Sequence, residues 1–524
     1  MKKIVIPGIF LVILNALIFY TALPVISFRN PGLWFIILLN IFVIAFCMSV
    51  TKRTTAEQLK AIKVPGIISA VLVLFLIIGG ISSTQIFHAS AYTKLLDVQM
   101  SEESDLPSVE DLPQIPLMDT ESSKVLGNRK IGALSDIVSQ FEVSDDYMTI
   151  AYHNTPVKVS PLRYASLWKW AANRGNGIPG YVIVDPNGLT AEYTELEKGM
   201  KYVPSAYFSE DLNRHIYGKY PTVFFESPHF EIDDEGKAYY VAPTYTYTIG
   251  IFGGKKITGA IVVDPVNGSA ERYETKDLPE WVDIVYNGDY ISKYFDIRGK
   301  LVNGFWNSVF GQKGLIESAT TTTYDSEGEE VRKNDFGYIV KDNDVYVYTG
   351  VTSVTNDESN IGYYMANERN GEIHLAYFES TDEDSVMRAA EGEVQEKRYR
   401  ASFPSLVNID GAPAYVMVLK DNLGLVKMYA IVDASQYSHM EVAETLDKAL
   451  AAYSKGSVPE AGDLYRRDIT IRKIEFITVS GDTKVYIVDE GGNLFCGAFD
   501  ERTLLWNEGD TVNILTDGKN FRIE

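Results

Sequence analysis

The chain has 524 residues, a formal net charge of -22 and a hydrophobic content of 46%. Its length exceeds what one hydrophobic core usually serves, so several domains are expected, and the apolar content is sufficient to build them. The acidic balance excludes a nucleic-acid-binding protein, because such a surface needs clustered lysine and arginine. The two cysteines, Cys47 and Cys496, cannot supply a disulfide framework.

Three hydrophobic segments lie at the start of the chain, over residues 4–26, 33–50 and 64–81. Each approaches the roughly 20 apolar residues that a membrane-spanning helix needs, and none contains a charge. The segments therefore predict three transmembrane helices within residues 1–83. A cleaved signal peptide is the alternative for the first segment, but the run is long and lacks a small-residue cleavage site.

Basic residues predict the orientation of this membrane region. Those at the chain start and between the second and third segments fall on one side, and Arg29 falls on the other. The sequence therefore predicts a three-pass protein of the cell membrane with a cytoplasmic N-terminus and an extracytoplasmic part after about residue 83. Among the acids only Glu57 precedes residue 84, so nearly all of the acidic charge belongs to the exterior part.

The exterior part is predicted to begin with a linker and to continue as folded α+β structure. Residues 84–121 comprise a juxtamembrane segment and an acidic stretch, 101–121, that contains three prolines and no lysine or arginine. Such a composition favours an extended, solvated tether. Short β-rich runs between turn signals then predict two α+β repeat regions, 122–300 and 301–459, and a small C-terminal β-barrel of OB or SH3-like type, 460–524.

Three amphipathic helices are predicted among these strands. Apolar residues at helical spacing mark helices that end near Asn173, Gly218 and Gly456. The first helix is predicted to start at Ser160-Pro161, because serine caps helices and proline suits the first helical position.

A repeated hairpin is the most informative motif of the exterior part. Gly180-Tyr-Val-Ile-Val-Asp-Pro-Asn-Gly188 and Gly259-Ala-Ile-Val-Val-Asp-Pro-Val-Asn-Gly268 each join a strand to an Asp-Pro turn that leads into another strand. Weaker copies occur at 363–377 and 427–437, and further hairpin turns are predicted at 233–236, 342–344 and 410–411. The pattern indicates antiparallel β-meanders flanked by helices.

The strand, Val-Asp-Pro turn and strand resemble the PepSY family, small extracytoplasmic α+β modules often implicated in binding or inhibiting peptidases. At longer range, Asp277-Leu-Pro-Glu-Trp-Val-Asp283, Thr349-Gly-Val-Thr-Ser-Val354 and Leu419-Lys-Asp-Asn-Leu-Gly-Leu-Val-Lys427 resemble a family of large multi-span envelope proteins of Gram-positive bacteria. Members of that family are sometimes labelled cell shape-determining. The resemblance implies a location in the cell envelope and assigns no activity to individual residues.

Motifs for catalysis, metal binding and nucleotide binding are absent from the sequence. No histidine belongs to an H-E-x-x-H pair, neither cysteine has the local setting of a nucleophile, and no phosphate-binding glycine-rich loop joins a strand to a helix. We therefore predict no catalytic residue, no metal and no cofactor. A carboxylate pair of an envelope hydrolase cannot be recognised by spacing in so acidic a chain, and this function stays as the alternative.

Tyrosine is abundant, with 33 residues, and two tyrosines form the predicted binding surface. Tyr346 and Tyr348 flank Val347 on a predicted strand, so they point to the same side. Tyrosine suits surfaces that bind peptides and glycans, although strand packing explains the pair equally well. The sequence thus predicts a non-enzymatic membrane-anchored binding or scaffolding protein that contacts envelope proteins or cell-wall polymer.

Overall fold

The computed structural model describes residues 2–50, 52, 54–101, 106–324, 330–354, 356–456, 465–479, 482–516 and 521–522. They belong to two compact parts, Met1–Ala449 and Leu450–Glu524. The larger part starts with apolar helices and continues as antiparallel sheets with flanking helices, which makes it α+β. The smaller part contains one five-stranded sheet.

Apolar helices open the larger part. They are α1 (Lys2–Ala22), α2 (Pro31–Val50) and α3 (Thr55–Ile81). By length and composition α2 and α3 are sufficient to cross a membrane, whereas the apolar stretch Gly8–Ala22 of α1 is shorter. The side chains of Asn15 and Asn40 join α1 to α2 by reciprocal hydrogen bonds of 2.6 and 2.9 Å. Such pairing satisfies amide groups that apolar surroundings would otherwise leave unpaired.

The predicted solvated tether is wrong for the residues that the structure describes. The juxtamembrane segment contains α4 (Gln85–Tyr92) and β1 (Asp97–Met100), and the predicted tether, 101–121, contains a 3₁₀ helix (Val109–Gln114). Leu112, Ile115 and Met118 are buried among the neighbouring sheets. Asp111 caps the 3₁₀ helix by accepting a hydrogen bond of 2.7 Å from the backbone N–H of Ser108. The average composition of this segment indicated a linker because its acids and prolines outweigh its apolar residues. Those apolar residues are spaced between the acids, and they are the ones that become buried.

Four modules with one strand order follow, and we name them modules 1 to 4. In each, the first two strands lie end to end along one edge of the third, and the third, fourth and fifth strands form an antiparallel meander. Each meander is preceded by a helix.

The bounds of modules 1 and 2 are as follows. Module 1 contains α5 (Thr120–Gly132), α6 (Ser135–Val138), β2 (Phe141–Val143), β3 (Met148–Tyr152), β4 (Thr155–Tyr164), α7 (Leu167–Asn173), β5 (Ile178–Asp185) and β6 (Thr190–Met200). Module 2 contains α8 (Leu212–Lys219), β7 (Phe224–Phe225), β8 (His229–Ile232), β9 (Ala238–Ile249), β10 (Gly253–Val263) and β11 (Ala270–Glu274). Together they occupy most of the first predicted repeat region.

The bounds of modules 3 and 4 complete the larger part. Module 3 contains α9 (Gly288–Leu301), β12 (Ile316–Ser318), an extra hairpin of β13 (Thr320–Tyr324) and β14 (Glu330–Asn334), β15 (Gly337–Lys341), β16 (Asp344–Ser353), β17 (Asn356–Asn367), β18 (Glu372–Ala376) and β19 (Ser380–Thr381). Module 4 contains α10 (Glu383–Glu393), β20 (Arg400–Ala401), β21 (Ser405–Ile409), β22 (Ala412–Lys420), β23 (Val426–Asp433) and β24 (Met440–Ala443). Strand β1 adds to module 3 by parallel pairing with β18.

The hairpin between the fourth and fifth strands uses the same turn in all four modules. Asp185, Asp264, Asn367 and Asp433 stand at this turn, and in each the side-chain oxygen accepts backbone N–H groups two and three residues later at 2.8 to 3.3 Å. This local capture of the chain by Asp or Asn is a well-defined turn mechanism. The two predicted hairpins and their two weaker copies are thereby confirmed.

The predicted ends of the helices are confirmed, but the predicted start of the first helix is wrong. Helix α7 ends at Asn173 and α11 (Leu446–Gly456) ends at the predicted glycine. Ser160-Pro161, however, lies within β4, and Ser166 caps α7 by accepting from the backbone N–H of Lys169 at 3.3 Å. Strand β4 is buried along nearly its whole length and is therefore rich in apolar residues. Some of these residues fall by chance at helical spacing from those of α7, which made the predicted helix too long.

The smaller part is built around one antiparallel sheet. Its strands are β25 (Tyr465–Val479), β26 (Asp482–Asp489), β27 (Leu494–Ala498), β28 (Thr511–Thr516) and β29 (Phe521–Arg522), in the order β27-β26-β25-β28-β29. Ile471, Ile487, Phe495 and Ile514 are among its buried core residues. A 3₁₀ helix, Glu501–Leu505, lies between β27 and β28.

Candidate functional site

A cleft of about 720 Å³ lies beside module 3 and is the candidate site. One wall consists of side chains from β15 to β18, including Tyr346, Tyr363 and His374. The opposite wall comes from the segment around the 3₁₀ helix, including Asp111 and Gln114. The acidic segment that was predicted to be a solvated tether therefore forms part of the site.

Tyr346 is the predicted binding residue that the structure places in the cleft. It lies on β16 opposite Ile339 and Asn367 of the neighbouring strands, and it is half-buried. Burial raises the pKa of its hydroxyl, so the group stays protonated and can donate a hydrogen bond at neutral pH. The side chain thus offers both an aromatic face and a polar tip to a ligand.

Tyr348 does not share this surface, and the prediction of an exposed tyrosine pair is wrong. Its exposed fraction is 6%, and its hydroxyl donates a hydrogen bond of 2.7 Å to Ser405 Oγ of module 4. Burial raises the pKa of this hydroxyl as well. Alternation along β16 sends both tyrosines to one face, but module 4 covers that face at position 348 and leaves it open at position 346. Sequence spacing does not reveal which part of a sheet face a neighbouring module covers.

Three further cleft residues were missed by the sequence analysis. Tyr363 and Met365 lie two residues apart on β17 and share one face of the strand. His374 lies opposite Met365 on β18. The spacing of Tyr363 and Met365 could have predicted that they share a face, since residues two apart on a strand point to the same side. Tyr363 and Met365 are nearly buried, whereas the half-buried Tyr346 and His374 offer an aromatic and an imidazole group, which suit a ligand with both apolar and polar portions.

The polar wall of the cleft contains amide and carboxylate groups. The Oε1 atom of Gln114 is buried there without a hydrogen-bond partner among the described residues. The Oδ2 atom of Asp111 accepts from both the backbone N–H and the hydroxyl of Ser108, at 2.7 and 2.9 Å. Asp342 stands in the β15–β16 turn with a φ of 54°. Asp111 is therefore engaged in capping a helix, and the amide oxygen of Gln114 is the group that lacks a donor.

Within the residues that the structure describes, no group of three or more His, Cys, Asp or Glu side chains is arranged to hold a metal ion. A cluster of buried charged groups lies elsewhere, at the junction of modules 1, 2 and 3.

This junction is held by a buried charge cluster. Glu231 accepts the backbone N–H groups of Asp283 and Ile284 at 2.8 and 3.2 Å, and Asp283 accepts that of Ala151 at 2.7 Å. Arg369 lies 2.6 Å from Asp344 and 3.6 Å from Asp283, although its Nε–H is not aligned for a hydrogen bond. Burial and the neighbouring Glu231 raise the pKa of Asp283. The cluster links three modules and does not line the cleft.

A second buried acid, Glu383, joins modules 3 and 4 at the start of α10. Its two carboxyl oxygens accept hydrogen bonds from the backbone N–H of Gly350 at 2.8 Å and from Asn360 Nδ2 at 2.9 Å. Burial raises the pKa of Glu383 to about 7, and the hydrogen bond from Asn360 opposes that change. The group therefore changes charge near neutral pH at a point where two modules meet.

Comparisons with known proteins identify no relative of this chain. No protein-family model matches it, and no curated protein matches it either. Among solved structures, a mutant levansucrase of B. megaterium is 10% identical, with a TM-score of 0.16 over 84% of this chain and 94% of that chain. The levansucrase of Bacillus subtilis is 10% identical, with a TM-score of 0.16 over 81% of this chain and 96% of that chain. TM-scores this low do not indicate a shared fold, and no residue role is taken from them.

Proposed function

We propose that this protein is a non-enzymatic, membrane-anchored binding or scaffolding protein of the bacterial cell envelope, with three transmembrane helices and an extracytoplasmic α+β part. Contacts between the α1–α2 loop and the modules support the part of this topology in which both α2 and α3 cross the membrane. The backbone N–H of Ile26 donates to the carbonyl of Pro221 at 2.8 Å, and Tyr217 donates to the carbonyl of Pro24 at 2.9 Å. The folded part thus meets the α1–α2 loop, as two crossings, by α2 and α3, require.

The C-terminal end of α3 meets the same folded part. The ring of Phe252 lies 6.1 Å from that of Phe75 and covers Gly79, where an added Cβ would come 2.5 Å from it. Since α3 leads directly into the exterior part, both observations are compatible with one membrane side for the α1–α2 loop and the modules. The asymmetry of basic residues supports the assignment of that side as extracytoplasmic.

A reporter that works only outside the cytoplasm is expected to be active when fused after residue 524, because three crossings deliver this end to the exterior. The matched control is the same reporter fused in the loop between α2 and α3, where it should be inactive. Activity of a cytoplasmic reporter at residue 524 would contradict the topology.

The relation to PepSY modules and to the Gram-positive envelope family remains part of the proposal. It is supported by the four copies of one helix-plus-meander module, since tandem small α+β modules on a membrane anchor fit an extracytoplasmic binding protein. A closed C-terminal barrel is supported by Gly497, where an added Cβ would lie 2.7 Å from the ring of Phe521. Strands β27 and β29, the two ends of the sheet order, therefore approach each other.

The cleft beside module 3 is the proposed ligand site, and the half-buried Tyr346 within it is the observation that carries the proposal. An aromatic side chain that loses its remaining exposure on binding contributes more than a solvated charge does. The unpartnered Oε1 of Gln114 adds an acceptor that a ligand N–H or O–H can satisfy. These groups suit an extended peptide segment of an envelope protein or a cell-wall glycan.

Substituting Tyr346 by alanine is expected to weaken capture of the envelope ligand about tenfold, in the range typical of aromatic contact residues. The measurement is photo-crosslinking in intact cells from a reactive amino acid at position 341, where the exposed Lys341 lines the cleft, followed by quantification of the crosslinked species. Tyr377→Ala is the matched control, because Tyr377 is 52% exposed but does not line the cleft.

An equal loss of capture in the two variants would contradict the assignment of the cleft. Turnover of peptidoglycan by the purified protein, abolished by substitution of a single carboxylate, would replace the binding function by the alternative hydrolase.

A further inference from the structure

We propose that an aromatic surface on module 1 inserts into the membrane interface beside the apolar helices, so that the exterior part rests on the lipid surface. This surface consists of Leu167, Trp168, Tyr207 and Phe208. The proposal rests on the membrane anchor described above and adds a second, reversible contact with lipid.

The aromatic surface is exposed, and a buried tryptophan supports two of its members, Tyr207 and Phe208. Trp168 is 80% exposed and Phe208 is 59% exposed. Trp170 is buried, with its ring 5.5 Å from Tyr207 and 5.6 Å from Phe208. Trp168 belongs to the same helix, α7, and projects into solvent. The indole N–H of Trp170 donates a hydrogen bond of 3.0 Å to Glu210. A large apolar surface that is held in place from below and left open to solvent marks an interaction site.

The position of this surface indicates lipid as the occupant. The 3₁₀ helix Phe208–Glu210 leads directly into α8, which contacts the end of α1. There the guanidinium of Arg214 lies 4.5 Å from the centre of the Tyr20 ring, and its Nε donates to the Tyr20 carbonyl at 3.2 Å. Arg214 is the sixth residue after Phe208, so the two lie at most about 20 Å apart. The Phe208 end of the aromatic surface is therefore near the point where α1 leaves the apolar region.

The residue types and charges fit a membrane interface. Tryptophan and tyrosine are the side chains that concentrate at the boundary between hydrocarbon and water. The nearby acids are paired, since Glu210 lies 2.8 Å from Arg174 and Asp211 lies 3.6 Å from Arg214. Lys169 adds a further basic group on α7. These ion pairs reduce the acidic charge that would repel anionic lipid headgroups, and the basic side chains can reach toward those headgroups.

The test measures the depth of position 168 in a bilayer. The full chain with Cys47→Ala and Cys496→Ala receives Trp168→Cys, is labelled with a polarity-sensitive fluorophore, and is reconstituted in vesicles of equal parts phosphatidylglycerol and phosphatidylethanolamine. The label is expected to emit as in an apolar medium and to be quenched several-fold by lipids brominated on their acyl chains. Trp168 is so exposed that its replacement should leave the fold intact.

The matched control is Leu423→Cys in the same background. Leu423 is 66% exposed and apolar, but it lies in the β22–β23 turn, where Gly424 faces Val125 of α5. A label there should emit as in water and should escape quenching.

Water-like emission at position 168, or equal quenching at both positions, would overturn the proposal. The reporter fused after residue 524, measured separately in cells, would still be active if only the lipid contact were absent. Failure of the lipid contact and failure of the topology are therefore distinguishable. Burial of the label at 168 only when an envelope protein is added would assign this surface to a protein partner instead.

Discussion

Replacing Gly259 by alanine is expected to destabilise the larger part by roughly 3 kcal/mol or more. Gly259 has a φ of 145°, and a Cβ added there would lie 1.9 Å from the carbonyl oxygen of Tyr273. The residue sits where β10 shifts register against β9, and Tyr273 belongs to the paired strand β11. Because both atoms in the clash are fixed by the backbone, no rotation of a side chain can relieve it.

The measurement is the midpoint of urea unfolding of the full chain in detergent, monitored by tryptophan fluorescence. Gly180→Ala tests the equivalent position of module 1, where a Cβ would lie 2.2 Å from the carbonyl oxygen of Thr194. It should also lower the midpoint. Gly392→Ala is the matched control, because an added Cβ meets nothing within 4 Å, and alanine favours helices such as α10. A Gly259 variant with the wild-type midpoint would show that the bulge is not required.

The hairpins could be predicted from sequence because everything that specifies them is local. Asp185 and Asp264 capture backbone groups only two and three residues away, and the glycines five residues earlier in the chain stand at the bulges. This chemistry repeats whenever the motif repeats. The copy around Asn367 resembles the motif less in sequence because Asn replaces Asp. Its side-chain oxygen nevertheless accepts the same two hydrogen bonds.

The candidate site could be predicted only in part, because its two walls come from distant segments. Strand alternation placed Tyr346 on a face with Tyr348, but the hydroxyl of Ser405 in another module determines that position 348 is covered. The opposite wall contains Asp111 and Gln114, from a stretch whose average composition indicated a solvated linker. Local patterns specify which face a side chain occupies, whereas burial of that face depends on contacts between residues far apart in sequence.

The junctions between modules show the same limit more sharply. Lys158 is buried, donates a hydrogen bond of 2.8 Å to Thr149, and lies 5.3 Å from the centre of the Tyr338 ring. Burial lowers its pKa to about 8. A lysine in a strand is ordinarily taken as a solvated residue. Its burial follows from the meeting of modules 1 and 3, which no single repeat encodes.

Substitution of Glu383 by glutamine is expected to stabilise the protein at alkaline pH and to remove part of its pH dependence. The pKa of Glu383 is about 7 in the folded protein, above the ordinary value of 4.5 for the carboxyl group. In the interval between these values the folded state binds more protons than the unfolded state does. Stability from this group is therefore complete below about pH 4.5 and falls as the pH rises toward 7, by on the order of 3 kcal/mol.

Glutamine removes the charge and keeps the shape of the side chain. Its oxygen can accept the backbone N–H of Gly350, as Glu383 does at 2.8 Å. Its amide nitrogen needs an acceptor, and Asn360 can supply one by rotating its amide, since Asn360 Oδ1 is buried without a partner among the described residues. The contacts of residue 383 with Gly350 and Asn360 can thus be kept, at the cost of the 3.3 Å hydrogen bond from Asn360 Nδ2 to Tyr415, while burial of a carboxylate is avoided.

Urea midpoints of the wild-type chain and of the Glu383→Gln chain, measured at several values between pH 5.5 and 8, test this expectation. The difference between the two proteins should grow as the pH rises, because only the wild-type carboxyl group ionises in this interval. Comparing the two cancels the contributions of Asp283 and Glu368, whose pKa values burial also raises. Glu393→Gln is the matched control on α10, where the side chain is exposed and no pH-dependent gain is expected. A Glu383→Gln chain that is less stable than the wild type at pH 8 would mean that Glu383 is retained as a carboxylate, with its two hydrogen bonds outweighing the cost of burial.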